Sequence, residues 1–132
     1  MIVFVDTSAF YALLDRDDAN HAPAAARWES LLSSDTTLVS TNYVLVECAA
    51  LVQSRFGMAA ARPFMEDVAP LLTVAWIDDA VHGAAVGAWL AASRRTLSLV
   101  DCASFEVMRR RGIRKAFAFD DHFRQQGFAC VP

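Results

Sequence analysis

The sequence predicts an α/β fold built on a central, mainly parallel sheet of about five strands, and three observations predict it. Apolar runs of strand length alternate with longer stretches of helical periodicity along the 132 residues. Two of those runs, Ile2-Val3-Phe4-Val5 and Ala116-Phe117-Ala118-Phe119, stop directly on an aspartate. No internal repeat, low-complexity tract or Pro/Gly-rich linker divides the chain, so residues 1–132 are expected to form a single domain.

The elements follow in order. A strand is expected at 2–5, and Asp6-Thr7-Ser8 then offers three side chains able to cap a helix over 8–14. Residues 15–22 are dense in polar side chains and read as a surface loop. A helix over 23–32, a strand at 37–40 and a helix over 43–55 come next. They are followed by a helix over 59–68, a strand at 72–77 and a helix over 79–92. Ser98-Leu99-Val100-Asp101 has the form of a capping box and opens a helix over 100–111. Strands at 116–119 and 128–131 close the sheet.

Composition narrows the class. At 55% hydrophobic, with nine Phe and three Trp, the chain can bury a substantial core. No apolar run approaches the roughly 20 residues that span a bilayer, and the N-terminus lacks the basic flank of a secretory signal. A soluble, cytoplasmic protein without membrane attachment is expected. Cys48, Cys102 and Cys130 are odd in number and form no C-x-x-C pair, which disfavours disulfides and zinc and suits small buried hydrophobes. A net charge of −3 excludes whole-molecule electrostatic binding of nucleic acid. Five of the twelve cations nevertheless crowd into residues 109–115, where Arg110 and Arg114 are candidate contacts for a polyanion.

Four acids carry the chemical signal. Asp6 is the one charged side chain between Met1 and Leu14; Glu47 is alone between Asp35 and Arg55; Asp101 is alone between Arg95 and Glu106; Asp120 ends the run 116–119. In open α/β sheets ligands bind beyond the carboxyl ends of the strands, where Asp6 and Asp120 would sit. On its expected helix Glu47 shares a stripe with Val44, Cys48, Leu51 and Val52, which places its carboxylate on the buried side. A buried carboxylate demands a partner, either a cation or an arginine from another helix. Asp101 also satisfies a capping role, and Asp121 reads as a solvated turn or cap beside Asp120. Four acids isolated in hydrophobic sequence call for a shared cation, and hard divalent ions prefer oxygen ligands. His21, His82 and His122 show no metal-ligand spacing; His122 is expected at most at a pocket rim.

Val5-Asp6-Thr7-Ser8-Ala9-Phe10, Glu47, Leu97-Ser98-Leu99-Val100-Asp101-Cys102 and Phe119-Asp120-Asp121-His122-Phe123 together resemble the four acidic motifs of the PIN-domain ribonucleases, and more narrowly VapC-type toxins of toxin–antitoxin pairs. The resemblance runs in order over nearly the whole chain. It implies a three-layer α/β/α domain and Mg²⁺-dependent cleavage of RNA, with Mn²⁺ able to substitute. Asp6, Glu47, Asp101 and Asp120 become the catalytic, metal-binding quartet. Ser8, Arg110 and Arg114 are candidate substrate contacts, and a cognate antitoxin and a homodimer are implied partners. Similar proteins commonly carry Thr or Ser two residues before the fourth acid. This chain has Ala118, which leaves open how Asp120 is oriented.

Two other classes compete. A receiver-like phosphoacceptor switch would use Asp78 or Asp79, which follow the run 72–77, but it also expects an acidic pair at the first strand, where Asp6 stands alone. A PIN-like binding module without catalysis would not need an intact quartet.

Overall fold

The computed structural model describes residues 1–132. Five strands, β1 (Ile2–Val5), β2 (Thr37–Thr41), β3 (Thr73–Ala75), β4 (Lys115–Phe117) and β5 (Ala129–Val131), form one sheet in the order β3-β2-β1-β4-β5. Every neighbouring pair is parallel. Seven α-helices complete the expected three-layer α/β/α arrangement: α1 (Thr7–Leu14), α2 (His21–Ser33), α3 (Asn42–Phe56), α4 (Met58–Pro63), α5 (Asp79–Ala92), α6 (Leu99–Arg111) and α7 (Asp121–Gln125). β1 is central because Val3, Phe4 and Val5 are fully buried, as strands covered on both faces require. Phe4, Phe10, Phe64, Phe117, Phe123 and Met108 are the bulk of the core around it.

Parallel pairing puts the exits of β1, β2, β3 and β4 on one edge of the sheet. Buried hydrogen bonds hold that edge in register. Ser40 Oγ donates to the Val5 carbonyl at 2.9 Å, tying β2 to β1. Ile77 N donates to Asn42 Oδ1 at 2.8 Å, tying the chain beyond β3 to the start of α3. Thr41 caps α3 by accepting from Val44 N at 3.1 Å.

Some boundaries differ from expectation. The helix expected over 59–68 ends at Pro63, and a widened π-helical turn (Phe64–Val68) and a 3-10 turn (Ala69–Leu71) replace its second half. Pro63 lacks the N–H that the helical ladder needs there. β4 ends at Phe117 rather than 119, because Phe119 N donates to Ser8 Oγ instead of a neighbouring strand. The five-residue helix α7 was not expected at all. Asp78 caps α5 through Val81 N, just after the edge strand β3. A receiver carries its phosphoacceptor after a central strand of a differently ordered sheet, so the topology removes that alternative.

Candidate active site at the strand exits

Asp6 leaves β1 in extended conformation and caps α1. Its Oδ2 accepts from Ser8 N at 3.1 Å and from Ser8 Oγ at 2.7 Å, which leaves Oδ1 free. The residue is only 3% exposed. Burial pushes its carboxyl up to about 7, against the two Ser8 hydrogen bonds, with the charges of Asp101 and Asp120 adding to the rise.

Asp101 lies in the first turn of α6 and completes the expected capping box. Ser98 N donates to Asp101 Oδ2 at 3.2 Å, and Asp101 N donates to Ser98 Oγ at 3.0 Å. Capping has not turned the carboxylate away from the sheet edge. Burial raises its pKa, the Ser98 backbone hydrogen bond opposes that, and the nearby Asp120 charge reinforces it.

Asp120 caps α7 by accepting from His122 N at 2.9 Å. This cap orients the carboxylate where Ala118 offers no hydroxyl, and the Phe119–Ser8 bond of 3.0 Å fixes the chain just before it. Asp121 takes the exposed position beside it and pairs with Arg124.

His122, expected at most at a pocket rim, lies among the acids instead. Its Nδ1 lies 3.0 Å from Asp120 Oδ1 and 3.6 Å from Asp101 Oδ2, yet it makes a hydrogen bond with neither and is buried. Asp101, Asp120 and His122 each present one donor atom, all within 4.8 Å of one another. The signal available in the sequence was the D-x-H spacing. At a helix N-terminus it brings the cap side chain and the side chain two residues on to the same opening.

Glu47 stands beside this group rather than in it. It is half-buried, not buried as the stripe predicted, and no arginine pairs with it. The buried face of α3 is Val44, Leu45, Cys48 and Val52, while Leu51 is 38% exposed. Glu47 lines a groove of ≈ 450 Å³ with Tyr43, His82, Leu99 and Val100, next to Asp101 in the chain. Tyr43 and His82 are hydrogen-bonded across it.

The remaining candidates separate from the acids. Ser8 commits its hydroxyl to Asp6 and Phe119, so it positions the site. Arg110 pairs with Glu106 at 2.7 Å and lies nine residues beyond Asp101 on α6, about 14 Å along the axis. Arg114 precedes β4 at the opposite edge of the sheet. Cys48 is buried, and its thiol is pushed up to about 12 chiefly by desolvation, as befits a packing residue.

A family model described as PIN domain matches residues 3–129. The chain is 35% identical over 133 residues to a 23S rRNA-specific endonuclease, VapC20, of Mycobacterium tuberculosis, with 98% of each covered. The crystal structure of M. tuberculosis VapC20, described as a sarcin-ricin loop cleaving toxin, superposes with a TM-score of 0.86 at 32% identity, covering 98% of this chain and 97% of that one. VapBC2 from Rickettsia felis shares the fold with a TM-score of 0.72 at 10% identity, covering 98% and 97%.

Proposed function

Because the chain belongs to the PIN-domain family, we propose that it is a divalent-metal-dependent endoribonuclease, the toxin of a toxin–antitoxin pair. The observation that carries the reading is the convergence of Asp101, Asp120 and His122 at the strand exits, beside the buried Asp6.

The donor set fits a divalent cation. Two carboxylates and an imidazole lie within reach of one ion, and the buried His122 Nδ1 has no hydrogen-bond partner. Asp101, Asp120 and His122 would hold Mg²⁺ or Mn²⁺, with Asp6 and Glu47 as flanking carboxylates. Bound there, such an ion supplies the Lewis acidity that activates water and neutralises charge growing on the phosphate oxygens. Asp6 contributes a fixed orientation, because both Ser8 bonds engage Oδ2 and leave Oδ1 to hold or release a proton near neutral pH. Burial of Asp6 and Asp101 limits competing water around the carboxylates. Arg110 and Arg114 would meet RNA only beyond the segment being cut.

Relatives at 35% identity over almost their full length favour ribosomal RNA of the large subunit as the substrate class. A cytoplasmic location belongs to this reading. A cognate antitoxin and a second copy of the chain belong to the same reading, and exposed Val46 (69%) and Trp76 (74%) offer apolar surface for them.

The test is incubation of the purified protein with ribosomes in Mg²⁺ or Mn²⁺, followed by mapping of new RNA ends. Discrete ends that vanish with Asp101→Asn are expected. No metal-dependent cleavage of any RNA would leave a PIN-like binding module instead.

A further inference from the structure

The loop between α5 and α6 forms one wall of the candidate site and carries two cations that no carboxylate neutralises. Arg94 and Arg95 are exposed and adjacent, and neither takes part in an ion pair; Arg16, Arg27, Arg109, Arg111, Arg114 and Lys115 are unpaired as well, but lie away from the α5–α6 loop. The loop touches the site from two directions. Arg94 donates to Gln125 of α7 at 3.4 Å, and Thr96 Oγ1 lies 3.5 Å from His122 Nε2. Two residues further on, Ser98 forms the capping box that holds Asp101.

Behind the arginines is a cleft of ≈ 440 Å³ lined by Trp89, Leu90, Ser93, Arg94 and Arg95. That volume falls within the range of small-ligand pockets, about 300–1,000 Å³. Trp89 Nε1 donates to the Leu97 carbonyl at 3.1 Å, which fixes the indole by its edge while the residue stays 38% exposed. The cleft therefore pairs an anchored aromatic ring with two guanidinium groups that no carboxylate neutralises. Nucleic-acid sites use that pairing to stack a base and hold its phosphate.

We propose that this cleft is a subsite for RNA flanking the bond to be cut, with Arg94 and Arg95 on phosphates and Trp89 against a base. The proposal rests on the ribonuclease reading and deepens it. RNA is favoured over a protein occupant because the arginines lack carboxylate partners in an acidic chain and adjoin the carboxylates proposed to act on a phosphodiester. A strand held here runs past Thr96 and His122 toward Asp101 and Asp120.

The experiment measures binding of a synthetic large-subunit ribosomal RNA hairpin across a salt series in an Asp101→Asn background, and cleavage kinetics in the otherwise unaltered protein. Arg94→Ala combined with Arg95→Ala is expected to reduce the slope of log K against log salt by about 1.4–1.8, the share of two phosphate contacts. In cleavage, KM should rise about tenfold with kcat nearly unchanged. Trp89→Leu should weaken binding at every salt concentration without altering the slope. Arg111→Ala with Lys115→Ala, at the far end of α6 and β4, serves as the charge-matched comparison and should move the slope less.

An unchanged slope in the Arg94/Arg95 variant, or one equal to that of the comparison pair, overturns the proposal. So does dissociation of a dimer by the same variant with RNA binding intact, which would assign the cleft to a second copy. The ribonuclease reading fails separately, if the unaltered protein cuts no RNA while the slope still falls; the cleft then stands as an RNA-binding surface.

Discussion

The Ser8 hydroxyl donates to Asp6 Oδ2 at 2.7 Å. Ser8 Oγ also accepts the Phe119 N–H at 3.0 Å, so one side chain couples the exits of β1 and β4. Ser8→Ala removes both links. Activity is expected to fall about 10- to 100-fold and stability by about 1–2 kcal/mol, as for loss of a buried hydrogen-bonded hydroxyl. Ser8→Thr should restore much of both. Equal loss in the two variants, by cleavage rate and thermal melt, would remove the positioning role.

The cation-free protein should be most stable in mild acid. Asp6 titrates near 7 in the folded chain against an ordinary 3.8, so the folded state binds more protons than the unfolded state between those values. Stability is therefore lost as the pH rises from about 4 to about 7, by up to about 4 kcal/mol for a shift of this size. Asp6→Asn should reduce that decline, leaving the part that the raised Asp101 carboxyl contributes, while abolishing cleavage. Thermal melts from pH 4 to 8, with and without Mn²⁺, check it, and a decline of unchanged size in the variant would refute it.

His122→Ala should weaken Mn²⁺ more than Mg²⁺, because it removes a nitrogen donor that the softer ion uses better. Titration calorimetry with each ion reads the difference, with about a tenfold loss expected for Mn²⁺. Equal affinities before and after would leave the two carboxylates as sufficient.

Glu47→Gln is expected to lower cleavage at least tenfold with stability changed by less than about 1 kcal/mol. Glu47 is half-buried and pairs with no arginine. Loss of a buried ion-pair partner would instead cost about 3–5 kcal/mol. A melt and a rate on one protein preparation separate the two.

Ser93 ends α5 in left-handed conformation, with φ 49°. Glycine adopts that conformation without the side-chain penalty, so Ser93→Gly should stabilise the chain by about 1 kcal/mol. An unaltered melting temperature would show that the strain is relieved elsewhere.

The layered α/β fold was legible because buried strands and amphipathic helices have different periods, and α5 was placed at its observed bounds. Asp6, Asp101 and Asp120 were legible for a related reason: an isolated acid at the end of an apolar run has little to gain from solubility. His122 was hidden because α7 has five residues, too few to show periodicity. Its approach to Asp101 depends on how α6 and α7 meet, which local spacing does not encode. The burial of Glu47 was overstated because the buried face of α3 runs through Leu45 rather than Leu51, and a rotation of that size lies within the width of an apolar stripe.

The central strand β1 precedes the other four in sequence, yet one of its two neighbours, β4, begins only at Lys115. Asp6 must wait for Asp101 and Asp120 to be synthesised, so a growing chain that has not reached them has no complete acidic pocket. Contacts this distant in sequence also form late in folding. A chain still short of Asp120 therefore lacks part of the acidic group proposed to act on RNA.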